Sequence, residues 1–289
     1  MNEPLFTGVC TALVTPFLDG AVNYPMLRVL LKRQQEAKIP AVVLFGTTGE
    51  SPTLSDREKL EILRQARDQV GDSMILIAGT GSNDTVHAAE LSQAAQEAGA
   101  DALLVVTPYY NKATPSGLYA HYLTVAHSVS IPIILYNVPS RTAVDIPESV
   151  YRRLSRVPNI IGTKETSTDI NKIIRTRNAC GSDFTVWSGN DDFAVPSIAL
   201  GSKGVISVAS NLIPQEMNDM IRAALDGDFD TASDLLIKFT PLFQLLSCEV
   251  NPIPIKAAMA KFGFDCGPCR MPLTELSQEN KERMNQFFP

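Results

Sequence analysis

A chain of 289 residues with a formal net charge of −6 has room for two small domains or one large α/β barrel. Its 45% hydrophobic and 19% charged residues suit a globular protein with a sizeable core, and the acidic balance argues against general nucleic-acid binding, which wants a basic face. No apolar run approaches the roughly 18 residues that span a bilayer, and Met1-Asn2-Glu3-Pro4 lacks the basic-then-apolar layout of a signal peptide, so a cytoplasmic location is expected.

Apolar, strand-like runs recur at 9–17, 41–46, 74–80, 102–108, 131–137, 159–165, 184–190 and 204–209. They are continuous rather than alternating, as in strands covered on both faces, and segments with helical periodicity lie between them. Ser55-Asp56-Arg57-Glu58 forms a capping box that opens a helix over 57–70, closed by Gly71. An alanine-rich helix follows over 84–98, ended by Gly99, and another opens at Ser116-Gly117 and runs to about Val129. The order predicts an α/β fold, a (β/α)8 TIM barrel over residues 1–225. An open doubly wound sheet is the alternative, but the glycine-rich turn it wants after the first strand is missing. From about Asp226 the strand signals stop, and 229–246, 255–262 and 277–288 read as a C-terminal three-helix extension over 226–289. Asn251-Pro252-Ile253-Pro254 breaks it, and its apolar content predicts packing on the barrel or on a neighbouring subunit.

Cysteines stand at positions 10, 180, 248, 266 and 269 and make no disulfide framework. Cys266-Gly267-Pro268-Cys269 has neither a second pair nor a nearby histidine, so two cysteines in a turn are expected rather than a metal site. No metal or cofactor is expected elsewhere.

In such barrels the chemistry collects at the C-terminal ends of the strands. Those ends carry Gly46-Thr47-Thr48-Gly49-Glu50-Ser51, Tyr109-Tyr110, Tyr136-Asn137-Val138-Pro139-Ser140-Arg141-Thr142, Lys164-Glu165-Thr166, Ser188-Gly189-Asn190-Asp191 and Ile206-Ser207. Lys164 closes an apolar run, with its stem expected to be buried and its tip open. Burial disfavours the ammonium, so the amine is a candidate nucleophile for a ketone or aldehyde. A tyrosine phenol and a threonine hydroxyl can move the protons that Schiff-base formation requires. The glycines beside Thr47 and Thr48 let backbone N–H groups approach a carboxylate, and Arg141 offers a bidentate fork for another. Singly, each has a structural reading: a solvated lysine, a tight turn, a core tyrosine, a surface arginine. His87, His121 and His127 read as structural or exposed. Their joint placement on one rim favours chemistry.

The Gly46–Ser51, Tyr136–Thr142 and Gly162-Thr163-Lys164-Glu165 motifs resemble those of the 4-hydroxy-tetrahydrodipicolinate synthase (dihydrodipicolinate synthase) family. The likeness extends over nearly the whole chain, including 11–16 and Asn251-Pro252-Ile253-Pro254-Ile255-Lys256. It implies a Schiff base between Lys164 and pyruvate, with no separate cofactor, and a proton relay of Tyr136, Thr48 and Tyr110, the last reaching in from another subunit. Thr47 and Thr48 would hold the pyruvate carboxylate and Arg141 that of L-aspartate 4-semialdehyde, while Gly189 and Ile206 line the pocket. The implied assembly is a homotetramer of tight dimers or a homodimer, acting in diaminopimelate and lysine biosynthesis.

Family members inhibited by lysine carry a histidine and a glutamate in an interface pocket. Here Asp56, Lys59 and His87 stand at the matching positions, beside retained Ser51, Asn83 and Tyr109. Weak or absent lysine inhibition is therefore expected. Competing readings are another pyruvate-dependent aldolase, such as N-acetylneuraminate lyase or a 4-hydroxy-2-oxoglutarate-type aldolase, and a retired barrel that only binds oxo acids.

Overall fold

The computed structural model describes residues 3–288; Met1, Asn2 and Pro289, which the expected spans include, lie outside the described residues. Among the described residues ten strands form: β1 (Gly8–Ala12), β2 (Phe17–Leu18), β3 (Ala21–Val22), β4 (Ala41–Leu44), β5 (Ile75–Gly79), β6 (Ala102–Val106), β7 (Ile133–Asn137), β8 (Ile160–Glu165), β9 (Thr185–Ser188) and β10 (Gly204–Ser207). Eight of them close a barrel in the order β1-β10-β9-β8-β7-β6-β5-β4, and all its pairings are parallel. The run expected over 9–17 is corrected: the strand ends at Ala12, and Phe17 begins a short antiparallel hairpin of β2 and β3.

The helices are α1 (Tyr24–Glu36), α2 (Asp56–Val70), α3 (Thr85–Glu97), α4 (Pro115–Ser128), α5 (Pro139–Thr142), α6 (Glu148–Leu154), α7 (Ile170–Cys180), α8 (Ala194–Ala199), α9 (Pro214–Leu225), α10 (Phe229–Leu246), α11 (Ile253–Lys261) and α12 (Gln278–Phe287). The capping box forms as read, with the Ser55 hydroxyl accepting from the Glu58 N–H and the Glu58 carboxylate accepting from the Ser55 N–H. Two readings shift. Helix α4 starts earlier, because the Thr114 hydroxyl caps it and Pro115, which lacks an N–H, fits its first turn. Helix α11 starts at Ile253 rather than beyond Pro254, since proline is tolerated in a first turn.

Strand alternation sorts side chains into two cores. Cys10, Val43, Ile77, Leu104, Ile134, Tyr136, Trp187 and Ile206 fill the barrel interior. Their neighbours Val9, Val42, Leu103, Leu135 and Val205 pack outward against the helices. The C-terminal helices share that outer core through Leu242, Phe243, Ile255, Met259 and Met284, so the extension packs on the barrel.

His121 on α4 is 4% exposed, with Nδ1 2.9 Å from the Thr85 hydroxyl and no partner for Nε2 among the described residues. Burial lowers its pKa to about 4 from 6.5, with Asp84 pulling the other way. The unfolded chain therefore takes up this proton first as the pH falls. The resulting stabilisation is complete above about pH 6.5 and is lost as pH drops through about 4, on the order of 3 kcal/mol. Urea unfolding at pH 4.5 and 7 should show His121→Gln losing less stability on acidification than the native protein; equal losses would refute the assignment.

Candidate active site

Register sets the centre of the site. Lys164 on β8 pairs with Tyr136 on β7 and with Trp187 on β9, so these residues lie side by side. Lys164 is 5% exposed, and its Nζ sits 4.5 Å from the centroid of the Tyr136 ring. Its amine makes no ion pair among the described residues.

Gly189 makes room for it, and Gly162 lets the neighbouring strand and the Trp187 ring come close. A Cβ on Gly189 would lie 3.1 Å from Lys164 Cε and 2.6 Å from Thr166 Cγ2. A Cβ on Gly162 would lie 2.3 Å from the Thr185 carbonyl oxygen and 2.7 Å from the Trp187 indole. Behind Lys164, on the outer side of the strand, Asn137 donates to Glu165 at 2.9 Å, and the Tyr151 hydroxyl donates to it at 3.3 Å. Burial raises the Glu165 carboxyl above its ordinary range, against the Asn137 hydrogen bond, the Ser167 N–H and the Lys172 charge.

The glycine-rich turn follows β4. A Cβ on Gly49 would lie 2.8 Å from Phe45 Cα and 2.9 Å from Phe45 N, so this glycine answers first to the folding of the turn. The turn is bracketed by left-handed Phe45 (φ 39°) and Glu50 (φ 57°), a conformation that a non-glycine residue holds only under constraint. For Glu50 the constraint is visible. Its carboxylate is buried against Lys256 of α11 at 2.6 Å and accepts from the Arg270 N–H at 2.8 Å.

A cleft of about 690 Å³ opens at this end of the barrel, lined by Thr47, Tyr109, Tyr136, Val138 and Arg141 among others. A second cleft of about 240 Å³ adjoins it, lined by Gly189, Asn190, Asp191, Glu249 and Asn251, and Arg141 borders both. Arg141 is exposed on short helix α5, donates to the Asn251 carbonyl at 3.4 Å and pairs with no carboxylate among the described residues. Ile206 is fully buried in the barrel interior.

Two expected members of the site stand differently. Thr48 is 2% exposed, and its hydroxyl accepts from Asn251 Nδ2 at 2.9 Å, while Thr47 is the threonine on the wall beside Tyr136. Of the two threonines of the turn, Thr47 thus lines the cleft beside Tyr136, while Thr48 lies buried with one bond accepted from Asn251. Tyr110 is not gathered with the others: it is 91% exposed, with φ 72°.

Sequence reasoning missed Cys10, whose buried thiol shares the barrel interior and is pushed up by burial against the Lys164 charge. Strand alternation on β1 was the available signal. It also missed Asn251, for which a motif match existed but no role. Cys266 and Cys269 sit in a non-helical turn as free thiols, pushed by burial up to about 12 and about 11.

The cleft extends over Ser51, Asp56, Lys59, Asn83, His87 and Tyr109, bringing all the expected interface-pocket residues together. Asp56 takes Lys59 Nζ at 3.3 Å on one oxygen and His87 Nε2 at 2.8 Å on the other. Burial works to raise the Asp56 carboxyl, but those two side chains outweigh it and hold it below its ordinary range.

The profile of the dihydrodipicolinate synthetase family matches residues 5–288. A 4-hydroxy-tetrahydrodipicolinate synthase of Acetivibrio thermocellus is 44% identical over 286 residues, covering 99% of this chain and 97% of the relative. The crystal structure of dihydrodipicolinate synthase from Aquifex aeolicus superposes with a TM-score of 0.96 at 43% identity, over 98% of this chain and 97% of that one. A dihydrodipicolinate synthase from Cyanidioschyzon merolae, solved with lysine bound, gives a TM-score of 0.95 at 36% identity, over 98% and 97% of the two chains. With a match of that extent in both sequence and fold, the chain belongs to the dihydrodipicolinate synthetase family.

Proposed function

We propose that the protein acts as a 4-hydroxy-tetrahydrodipicolinate synthase, joining pyruvate to L-aspartate 4-semialdehyde through a Schiff base on Lys164. The observation that carries this is the buried Lys164 amine, without an ion-pair partner among the described residues and 4.5 Å from the ring centroid of Tyr136, which lines a cleft together with an Arg141 free of carboxylate partners among those residues. The amine adds to the pyruvate ketone and water leaves, forming the imine. Loss of a C3 proton gives the enamine, whose carbon bonds to the aldehyde carbon of the second substrate. The aldehyde oxygen takes up a proton and becomes a hydroxyl; the α-amine that the semialdehyde already carries then attacks the imine carbon, closes the ring and releases Lys164.

Tyr136 and Thr47 pass protons on and off the reacting oxygen and nitrogen. Thr48 and the turn N–H groups take the pyruvate carboxylate, with Gly189 and Ile206 bounding the space around it. Arg141 takes the carboxylate of the semialdehyde. Tyr110, too exposed to serve its own site, completes the relay of a second copy, in a homodimer or a homotetramer. The same reading makes the enzyme cytoplasmic, placed in diaminopimelate and lysine biosynthesis, with no cofactor beyond the covalently held substrate.

A coupled assay of pyruvate with aspartate semialdehyde, run against N-acetylmannosamine, tests the reading. Turnover of the semialdehyde supports it, and turnover of N-acetylmannosamine alone would overturn it. Added L-lysine tests regulation in the same cuvette. An ammonium entering the Asp56 pocket must displace Lys59 or His87 from the only carboxylate among the residues expected there. Half-inhibition is therefore expected no lower than about 1 mM, a binding energy of only about 4 kcal/mol. Half-inhibition well below that would refute the expectation.

A further inference from the structure

We infer that Asn251, in the C-terminal extension, is a positioning residue that aims the Thr48 hydroxyl hydrogen at the oxo-acid carboxylate and so sets affinity for pyruvate. The inference rests on the Schiff-base reading above. An amide NH2 can only donate, so at the 2.9 Å contact the Thr48 oxygen accepts and its own hydrogen must point away from Asn251. No acceptor for that hydrogen exists among the described residues, although Thr48 is 2% exposed. A buried hydroxyl that accepts one bond and has its hydrogen left unmatched is prepared for an anion.

Asn251 itself is not arranged as a structural asparagine. Its Oδ1 is buried without a partner among the described residues, where polar groups in a mature core are almost always bonded. Its main-chain oxygen meanwhile accepts from Arg141 Nη2 at 3.4 Å. One residue thus touches the groups assigned to both carboxylates, by its side chain on one and by its backbone on the other. Exchanging the side chain should disturb only the first.

The test is borohydride trapping of pyruvate on Lys164 as a function of pyruvate concentration, with steady-state half-saturation for both substrates. In Asn251→Asp the carboxylate accepts the Thr48 hydrogen and withdraws it. Losing a hydrogen bond to a charged ligand should raise half-saturating pyruvate about 10- to 100-fold. Half-saturating semialdehyde should move less than about twofold, since the main-chain contact to Arg141 remains. Asn251→Ala frees the hydroxyl to rotate and should give a smaller rise of the same selectivity.

The decisive arm repeats each change in Thr48→Val, where no hydrogen is left to aim. There Asn251→Asp should add less than about twofold. A full penalty persisting in Thr48→Val, as simple charge repulsion would give, overturns the inference, as does an unchanged pyruvate dependence in both single variants. Failure of the native protein to be trapped would instead overturn the Schiff-base reading.

Discussion

Replacing Lys164 with alanine should reduce turnover about 10⁴-fold or more and abolish the mass increase that borohydride leaves when pyruvate is present. The size follows from what is removed. Without the amine no imine forms, and the enamine has no route that avoids a carbanion in a barrel interior lined by Val43, Ile77, Leu104 and Ile206. Lys164→Arg provides the control for charge, because it keeps a cation at the position but offers no nucleophile at neutral pH. Both variants should fold, since Lys164 Nζ forms no ion pair among the described residues and the strand around it is held by its register with Tyr136 and Trp187. A trapped adduct in the alanine variant, on any other residue, would remove Lys164 from the chemistry.

Lys256→Met should lower stability by about 3–5 kcal/mol and the Tm by about 10 °C. The Lys256 ammonium is 4% exposed and the Glu50 carboxylate 1%, 2.6 Å apart, with the Phe17 ring 4.4 Å from the ammonium. Removing the cation leaves a buried carboxylate answered by the neutral Arg270 N–H and Cys269 thiol, with no charge beside it to replace the ammonium's. Glu50 also holds the left-handed end of the turn that carries Thr47 and Thr48, so activity should fall even below the unfolding temperature. The double variant Glu50→Gln with Lys256→Met removes the stranded charge and should recover more than half of the lost stability. A Tm within about 2 °C of the native protein in Lys256→Met would show that the pair is not what fixes the turn.

Much of the architecture could be read from residues alone because its signals are local. Continuous apolar runs, the Ser55–Glu58 capping box and closing glycines such as Gly71 need no knowledge of distant chain. The rim was readable for a related reason: a barrel fixes which strand end carries chemistry, so Lys164, Tyr136 and Arg141 could be placed before any contact was known. What escaped depended on where a remote segment lands. The difference between Thr47 and Thr48 is set by Asn251, and the conformation of Glu50 by Lys256 and Arg270. Periodicity assigns a face to each residue but does not say which loop will cover it. The β2–β3 hairpin was missed because two-residue strands are shorter than any pattern that periodicity can detect.

The long chain separation between Glu50 and Lys256 also has a meaning for synthesis. A ribosome adding about 5–20 residues per second emits the glycine-rich turn roughly ten to forty seconds before the lysine that neutralises its Glu50. During that interval the emerging barrel carries an acidic side chain in a slot that only the final quarter of the protein can fill. The nascent chain can therefore assemble strands and helices early, yet its turn stays unlocked until translation is nearly finished, and catalytic competence arrives as the last act of folding.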